Sequence, residues 1–318
     1  MAHNDVTVVI PGPVHPYVNE RLEREFDLIV LPEPDISLIP EARRKDVRAI
    51  ASYLLVPTPF IDAFPKLEIL SNFGVGYDGV DARHCAEKGI VVTHTPDILT
   101  EEVADTTIGL LLNTARELNL AERWVREGRW ETEGNYRFSK ATLRGRHVGI
   151  FGMGRIGQAI ATRLEAMGLK ISYHNRRKVD DVAYGYYSTL LELAQAVDTL
   201  ISVVPGGAAT EKAVNAEVLR ALGSDGIFIN IGRGSTVDED ALISALQDGT
   251  ILAAGLDVFA DEPRVRPELI ALDNTVLLPH VGSASFQTRK AMANLTVDNL
   301  VSWFDGKGPL TPVPESTK

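Results

Sequence analysis

Three ionisable residues follow predicted strands in the second half of the chain, and their types suit proton transfer to a carbonyl oxygen. Arg233 follows IFINIG, Glu262 lies in LDVFADEP, and His280 follows TVLLP. Because the carboxyl ends of parallel strands meet at one edge of a sheet, these side chains could converge although they are far apart in sequence. An arginine fork binds a carboxylate and polarises a carbonyl, and a histidine donates a proton to its oxygen. A carboxylate beside that imidazole favours the protonated ring and fixes its orientation, so the three together have the chemistry for reducing a 2-keto acid.

Each of the three residues also has a purely structural interpretation. His280 could cap a strand, Arg233 could pair with a surface acid, and Glu262 could occupy a turn before Pro263. The residue types and their order alone leave the catalytic and the structural interpretations open.

A glycine-rich turn between a predicted strand and a predicted helix indicates a dinucleotide site. Val148–Phe151 is predicted to be a short buried strand; Gly152, Gly154 and Gly157 follow in the spacing G-x-G-x-x-G, and an amphipathic helix begins at once. The first glycine permits a sharp turn, the second lets the backbone approach a pyrophosphate, and the third lets the helix pack closely on the strand. The helix N-terminus offers free N–H groups and the positive end of its dipole to the phosphates.

The end of the next predicted strand indicates which nicotinamide cofactor the site prefers. In NAD-binding units an acidic residue about 20 positions beyond the glycines accepts hydrogen bonds from the ribose hydroxyls. Here Asn175 stands in place of that acid, and Arg176 and Arg177 follow it. Arginine binds a 2′-phosphate dianion bidentately, whereas an acid would repel it. The sequence therefore predicts NADP(H) in preference to NAD(H), the alternative being that the two arginines only solvate a loop.

Strand-like and helix-like segments alternate along both halves of the chain, which is typical of parallel sheets covered by helices on both faces. The predicted strands are 6–10, 27–31, 47–52, 67–73, 89–94, 148–151, 170–174, 198–204, 227–232, 251–258 and 275–279. Besides the helix after the glycine turn, the predicted helices are 18–26, 57–64, 81–89, 101–126, 188–196, 238–249 and 285–306. Segment 93–100 is expected to cross between two domains, and the last helix to return to the first.

A second glycine-rich turn lies in the first half, where Gly74, Gly76 and Gly79 crowd the predicted carboxyl end of a strand. Ligands of open α/β sheets bind at that end of the strands. A flexible turn is the alternative interpretation, and the residues alone do not decide between the two.

Length and composition exclude several other classes of protein. The chain has 318 residues, enough for two domains, with 45% apolar and 24% charged residues. A net charge of −11 argues against a nucleic-acid or anionic-membrane partner, and no apolar run approaches a membrane span. The single cysteine, Cys85, excludes an intrachain disulfide, and we interpret it as a packing residue on the helix after Asp81. The first residues lack the features of a signal peptide, so a cytoplasmic protein without a metal site is expected.

Four ordered segments resemble the signature motifs of the D-isomer-specific 2-hydroxyacid dehydrogenases, namely GMGRIG (152–157), INIGRGSTVDEDAL (229–242), GLDVFADEP (255–263) and LLPHVGSAS (277–285). The resemblance extends to FGVGYDGVD (73–81) and TPDILTEEVADTTIGLLL (95–112), so it covers nearly the whole chain. It implies a cofactor domain (100–285) with a Rossmann-type doubly wound parallel sheet. It also implies a smaller flavodoxin-like α/β substrate domain, built from 1–99 and 286–318, and a homodimer formed through the cofactor domain near the 101–126 helix.

The resemblance also implies roles for individual residues. Arg233 would bind the substrate, His280 would be the general acid/base, and Glu262 would be its partner. The backbone N–H groups of Val75 and Gly76 would hold the substrate carboxylate, and Leu99 would line the pocket. The implied cofactor-binding residues, among which Asp257 would face the nicotinamide carboxamide, are Gly152, Met153, Gly154, Arg155, Ile156, Gly157, Asn175, Arg176, Arg177, Val204, Pro205, Ile231, Gly232, Asp257 and Gly282.

Within the family, the Asn-Arg-Arg ending is most similar to that of the NADPH-dependent glyoxylate and hydroxypyruvate reductases, including hydroxyphenylpyruvate reductases. One departure follows Val204, where family members often have Pro-Leu-Thr and this chain has Pro205-Gly206-Gly207.

The leading hypothesis is an NADPH-linked reductase of small 2-keto acids, glyoxylate and hydroxypyruvate first. A reductase of bulkier acids such as phenylpyruvate is an alternative, because the residues that form the pocket walls are not apparent in the sequence. Trp130 and Trp303 are candidates for those walls, although Trp124 and Trp130 are expected in the first place to be packing residues. An NAD-linked enzyme such as phosphoglycerate dehydrogenase is disfavoured by the two arginines. A cofactor-gated binding protein, similar to the transcriptional corepressors of the C-terminal-binding type, stays open until turnover is measured.

Overall fold

The computed structural model describes residues 3–53 and 55–317. The chain divides into two compact units. One, the terminal unit, combines Met1–Leu99 with Ser285–Lys318, and the other, the central unit, is Thr100–Ala284. The chain therefore leaves the terminal unit once and returns to it with its last helix.

The strands are short and mostly buried, and several are buried along their whole length. In chain order they are β1 (His3–Pro11), β2 (Phe26–Leu31), β3 (Val47–Ser52), β4 (Ile69–Asn72), β5 (Val91–Thr93), β6 (His147–Phe151), β7 (Lys170–His174), β8 (Gly185–Tyr187), β9 (Thr199–Ser202), β10 (Ile227–Asn230), β11 (Ala253–Leu256) and β12 (Thr275–Leu277).

The helices occupy most of the connections between strands. In chain order they are α1 (Pro16–Glu25), α2 (Glu41–Arg44), α3 (Thr58–Asp62), α4 (Ala82–Glu87), α5 (Thr100–Arg116), α6 (Leu118–Arg126), α7 (Arg129–Glu133), α8 (Arg155–Ala166), α9 (Leu190–Ala196), α10 (Ala216–Leu222), α11 (Glu239–Gln247), α12 (Pro267–Ile270) and α13 (Phe286–Phe304). Short 3-10 turns lie at Ile36–Leu38, Gly234–Thr236 and Pro314–Thr317.

Each unit is built on one parallel sheet over the described residues. The terminal sheet has the order β2-β1-β3-β4-β5, which is the flavodoxin-like order. The central sheet has the order β12-β11-β10-β9-β6-β7-β8, in which the chain turns back at β6 as in a Rossmann sheet. The predicted fold class is therefore confirmed, and the switch point between β6 and β9 places the glycine-rich turn at the usual ligand crevice.

Apolar residues of helices and strands pack together on both faces of the central sheet. In the central unit Leu110, Leu164 and Tyr173 belong to the cluster on one face, while Leu193 and Phe228 belong to the cluster on the other. These residues are between 0% and 2% exposed, which is why the strands carry continuous apolar runs. Rigid packing on both faces holds the strand ends at fixed positions.

The predicted helix from Glu101 to Arg126 is wrong as a single element. It breaks at Glu117, whose φ of 53° is left-handed. The Glu117 carboxylate accepts hydrogen bonds from the Tyr136 hydroxyl at 2.8 Å and from Arg137 at 2.7 Å. These contacts come from a loop about 20 residues further on, so the helical spacing of the apolar residues gave no sign of the break.

Among the described residues, four elements of the central unit were missed by the pattern, namely β8, α7, α10 and α12. β8 is a three-residue edge strand without an apolar run, and α10 follows Asn215, whose side chain accepts from the N–H groups of Glu217 and Val218. Strands 47–52 and 170–174 match their predicted bounds. Cys85 is buried in α4 as expected; burial and the charges of Asp81 and Asp62 raise the pKa of its thiol to about 11.

None of the helices within 3–53 and 55–317 combines the length and apolar character needed to cross a membrane.

Candidate active site

The residues that follow the strands of the central sheet come together along its carboxyl edge. A Cβ atom on Gly152, after β6, would lie 2.9 Å from Cγ1 of Val204, after β9. A Cβ atom on Gly232, after β10, would lie 2.6 Å from the Val204 carbonyl oxygen. A Cβ atom on Gly282, after β12, would lie 3.1 Å from Oδ2 of Asp257, after β11. These predicted cofactor residues therefore line one edge of the sheet.

The glycine-rich turn shows a separate physical reason for each glycine. Gly152 has a φ of 111°, a left-handed conformation that favours glycine. A Cβ atom on Gly157 would lie 2.1 Å from the Gly152 carbonyl oxygen, so helix α8 passes too close for any side chain. A Cβ atom on Gly154 would meet nothing within 4 Å. Packing within the protein does not require a glycine at that position, whereas a phosphate lying against the backbone would.

Asn175 connects the end of β7 to the glycine-rich turn. Its Oδ1 accepts a hydrogen bond from the Met153 N–H at 2.6 Å. With the oxygen engaged in this way, the side chain can present its NH2 group, which is a donor, to a ligand. Arg176 and Arg177 follow it and are exposed. A donor and two guanidinium groups at this place suit a 2′-phosphate better than ribose hydroxyls.

The remaining predicted cofactor residues differ in exposure. Met153 and Ile231 are buried, Ile156 is half-buried, and Arg155 and Pro205 are exposed. The loop after Pro205 contains the unusual Gly206-Gly207 pair, and Thr210 closes it because its hydroxyl donates to the Pro205 carbonyl at 2.7 Å.

His280 and Glu262 form a close pair in the central unit. The His280 Nδ1 lies 2.7 Å from Oε2 of Glu262, and Oε1 accepts from the Phe259 N–H at 3.0 Å. Because an ionised carboxylate only accepts, Nδ1 carries the proton and Nε2 is the nitrogen oriented for exchange with a substrate. Partial burial acts to raise the pKa of Glu262, but hydrogen bonds from His280 and Phe259, with the charges of His280 and Arg233, lower it overall.

Asp257 holds the loop that carries His280. It is 1% exposed, and its two carboxylate oxygens accept from the N–H groups of Val281 at 2.7 Å and Gly282 at 2.8 Å. The His280 N–H donates to the Asp257 carbonyl at 2.9 Å, and His280 itself has a left-handed φ of 53°. Burial raises the pKa of Asp257 in spite of the two backbone hydrogen bonds. Its role within the chain is to fix the loop after β12.

Arg233 is placed by backbone contacts on both sides. Its carbonyl accepts from the Asn230 amide at 2.9 Å and from the Thr236 hydroxyl at 2.7 Å, and its Nη1 donates to the Gly232 carbonyl at 2.8 Å. A Cβ atom on Gly234 would lie 1.9 Å from the Phe259 carbonyl carbon. The segment after Arg233 therefore packs directly on the segment that leads to Glu262, and the predicted trio belongs to one unit.

The predicted substrate loop lies at the carboxyl end of β4 in the terminal unit. Asn72 Nδ2 donates to the Gly76 carbonyl at 2.9 Å, and His94 Nδ1 lies 2.9 Å from the Val75 carbonyl oxygen. The Thr95 N–H donates to the Gly74 carbonyl at 2.8 Å. The loop is therefore held by hydrogen bonds rather than being a flexible turn. Leu99, the last residue of this part of the unit, is buried.

Asn72 and His94 were missed by sequence reasoning. Each stands at or just after the end of a strand, which is the one sequence signal that could have found them. Of the aromatic candidates for the pocket wall, Trp303 donates to Glu68 at 3.0 Å, beside the amino end of β4 and away from the substrate loop. Trp130 is 60% exposed and its Nε1 donates to Oδ1 of Asn135 at 3.2 Å, so the expectation that it packs, in the core or at a subunit interface, stays a prediction for the interface. Trp124 packs as expected, with the Arg129 guanidinium 3.6 Å from its ring.

The model of the D-isomer-specific 2-hydroxyacid dehydrogenase NAD-binding domain matches residues 108–282, more than half of the chain. The chain belongs to this family. Glyoxylate/hydroxypyruvate reductase A of Arabidopsis thaliana is 45% identical over 311 residues, with 97% of this chain and 99% of the relative covered. Hydroxyphenylpyruvate reductase of Plectranthus scutellarioides is 43% identical over 311 residues, with the same coverage. These matches confirm the family predicted from the four motifs.

A solved dehydrogenase of the same family has nearly the same fold. The NADPH-dependent glyoxylate/hydroxypyruvate reductase of Sinorhizobium meliloti, crystallised in complex with NADP and malonate, is 55% identical. The similarity covers 98% of each chain, with a TM-score of 0.96. Both sheets of the present chain therefore have counterparts in a known 2-hydroxyacid dehydrogenase.

Proposed function

We propose that the protein is an NADPH-dependent reductase that converts small 2-keto acids, glyoxylate and hydroxypyruvate first, into D-2-hydroxy acids. The observation that carries the proposal is the His280–Glu262 pair beside Arg233, at the edge of the sheet where the glycine-rich turn lies. The 45% and 55% identities to glyoxylate/hydroxypyruvate reductases support the substrate class.

The residues of the central unit fit the cofactor. The open space beside Gly154 and the N-terminus of α8 would accept the pyrophosphate, and Asn175, Arg176 and Arg177 would bind the 2′-phosphate. Bound NADPH supplies a hydride to the carbonyl carbon of the substrate. The unusual Gly206-Gly207 pair leaves the wall beyond Pro205 with little side-chain bulk.

The catalytic trio supplies the proton and the electrostatic stabilisation. His280 gives the proton on Nε2 to the carbonyl oxygen as the hydride reaches the carbon, so that the C=O double bond becomes a C–O single bond and new C–H and O–H bonds form. Glu262 keeps Nδ1 protonated at 2.7 Å and stabilises the imidazolium before the proton leaves. Arg233 attracts the substrate and polarises its carbonyl. Because the carboxylate of Glu262 persists below the usual pKa of a glutamate, this partner stays ionised over the range in which a histidine titrates.

The terminal unit would contribute the recognition of the substrate carboxylate. The carbonyl groups of Gly74, Val75 and Gly76 each accept a hydrogen bond from their own unit. The N–H groups of Val75 and Gly76 are thereby directed away from those partners and can receive an anion.

A panel of initial rates tests this function. NADPH and NADH are each offered with glyoxylate, hydroxypyruvate, pyruvate and phenylpyruvate, and nicotinamide absorbance is followed. We expect the fastest oxidation for NADPH with the two smallest acids. Arg176→Ala with Arg177→Ala should raise the KM for NADPH at least about tenfold, the equivalent of about 1.4 kcal/mol, and spare NADH. Arg220→Ala, also an exposed arginine of the central unit, is the control. Equal losses with both cofactors would refute the 2′-phosphate role, and a preference for phenylpyruvate would assign a wider pocket.

We also propose that the enzyme is a homodimer formed through α6, α7 and the loop after them. Leu118, Val125, Trp130 and Phe138 expose large apolar side chains there, and α6 has no buried residue. Such a surface is typical of an interface between copies of a chain. Sedimentation should give a dimer, and Val125→Glu with Phe138→Ser should give a monomer. Ile270→Asp, at an equally exposed apolar position on α12, should leave the dimer intact; a monomeric wild type would contradict the proposal.

A further inference from the structure

The substrate loop after β4 accepts one hydrogen bond from a side chain of the segment that follows the neighbouring strand, β5. His94 follows β5, and its Nδ1 lies 2.9 Å from the carbonyl oxygen of Val75. Because a carbonyl only accepts hydrogen bonds, the ring nitrogen must be the donor, which requires a proton on Nδ1. This contact joins β5 to the loop after β4 at the carboxyl edge of the terminal sheet.

The accepting carbonyl belongs to the peptide group that carries the Gly76 N–H. A trans peptide is planar, so its N–H points opposite to its carbonyl, and fixing one fixes the other. The hydrogen bond at the oxygen also polarises the peptide group and strengthens its N–H as a donor. Among the residues that the structure describes, neither the Val75 N–H nor the Gly76 N–H donates a hydrogen bond to another group of the protein.

His94 is fixed through its backbone on one side and through its ring on the other. The His94 N–H donates to the Thr311 carbonyl at 3.1 Å, and the Thr311 hydroxyl donates back to the His94 carbonyl at 2.5 Å. The ring lies edge-on to Tyr77, with centroids 5.6 Å apart. Tyr77 in turn donates its hydroxyl to Glu315 at 3.1 Å. His94 is therefore a rigid donor held by the last segment of the chain.

We propose that His94 is a positioning residue for substrate binding. Through the Val75 carbonyl, it orients and polarises the Gly76 N–H that receives the carboxylate of the 2-keto acid. The inference rests on the proposed function, because it takes Val75 and Gly76 as the carboxylate site. His94 itself contacts no substrate atom in this role, and it acts only on the affinity for the carboxylate.

Two substitutions separate the hydrogen bond from the packing of the ring. His94→Phe keeps an aromatic ring against Tyr77 and removes the donor, whereas His94→Asn keeps a donor at a similar distance from the backbone. In His94→Phe we expect the KM for glyoxylate to rise about tenfold, which corresponds to about 1.4 kcal/mol, with kcat and the KM for NADPH within about twofold of wild type. His94→Asn should restore the KM for glyoxylate to within about threefold. A wild-type KM in His94→Phe, or equal losses in both variants, would overturn the inference.

Two further measurements do not depend on turnover. Calorimetry of oxamate binding to the NADPH-saturated protein should show the same tenfold loss in His94→Phe, and an unchanged Kd would refute the role. Nitrogen-correlated NMR of the wild-type imidazole, assigned through its bonds to the His94 backbone, should show the proton on Nδ1. The Nε2–H tautomer would overturn the inference even if both variants failed to fold. If no keto acid is turned over but oxamate binding still depends on His94, the proposed reaction is refuted and the carboxylate site at Val75 and Gly76 stands.

Discussion

Two glycines of the same turn should respond in opposite ways to an added methyl group. In Gly157→Ala the new Cβ would lie 2.1 Å from the Gly152 carbonyl oxygen and 3.0 Å from the Gly152 carbonyl carbon. Ordinary contact needs more than about 3 Å, so α8 and the turn must separate by about 1 Å. Overpacking of this kind costs about 1–3 kcal/mol, and the upper part of that range applies because the contacted atoms are backbone.

In Gly154→Ala the new Cβ would meet no protein atom within 4 Å, and the backbone at φ −83° and ψ −161° is open to any residue. Alanine is a poorer N-cap than glycine, but it also lowers the entropy of the unfolded chain, and these effects of under about 1 kcal/mol offset each other. The methyl group would instead fill the space through which the pyrophosphate approaches.

Thermal unfolding without cofactor and NADPH binding by calorimetry separate the two effects. Gly157→Ala should lower the Tm by about 4–12 °C, taking about 2–3 kcal/mol and about 2–4 °C per kcal/mol for a unit of this size. Gly154→Ala should keep the Tm within about 3 °C and raise the Kd for NADPH at least about tenfold. The reasoning is refuted if Gly154→Ala binds NADPH like the wild type, or if it unfolds as early as Gly157→Ala.

Three further substitutions test other parts of the account. Arg146→Ala removes a buried guanidinium that donates to Asp198 and Asp225, so the free energy of unfolding, measured with urea, should fall by about 2–4 kcal/mol. Arg144→Ala, at an exposed neighbour, should change it by under about 0.5 kcal/mol, and equal effects of the two substitutions would contradict the role of burial. The pKa of Glu262 is lowered in the folded state, so its ionised form stabilises the fold. The difference in free energy of unfolding between wild type and Glu262→Gln should therefore be largest above the usual glutamate pKa and should disappear as the pH falls through the lowered pKa. Urea titrations at a series of pH values measure this difference, and a difference that does not change with pH would argue against the ion pair. Asn175→Asp should still accept the hydrogen bond from the Met153 N–H, but its carboxylate should repel a 2′-phosphate. The ratio of kcat/KM with NADPH to kcat/KM with NADH should therefore fall more than about tenfold, and an unchanged ratio would show that Asn175 takes no part in cofactor selection.

The sequence predicted those features whose cause is local. The apolar runs of 47–52 and 170–174 gave strands with their observed bounds, and the spacing of three glycines gave the turn at the switch point of the sheet. The trio of Arg233, Glu262 and His280 was predicted from polar residues that follow strands, because a parallel sheet brings the carboxyl ends of its strands to one edge. His280 and Glu262 are 18 positions apart in the chain and lie 2.7 Å apart in the structure.

Features that depend on contacts between distant segments could not be predicted. Glu117 ends α5 because Tyr136 and Arg137 bind its carboxylate, and nothing in the helical spacing records those partners. His94 meets the Val75 carbonyl because β5 lies beside β4, a neighbour relation that the strand patterns do not specify. Trp130 is 60% exposed within the chain, so the packing expected of it stays a prediction for a subunit interface, and a single sequence does not specify which surface would cover it.

The most direct test of the central claim is the rate of NADPH oxidation with hydroxypyruvate, with the product resolved by chirality. Wild type should consume NADPH and form D-glycerate, and His280→Ala should lose at least about a hundredfold in kcat while binding NADPH normally. Undiminished reduction by His280→Ala would remove His280 as the acid. No oxidation by the wild type, with NADPH bound, would contradict the account and favour a cofactor-gated binding protein.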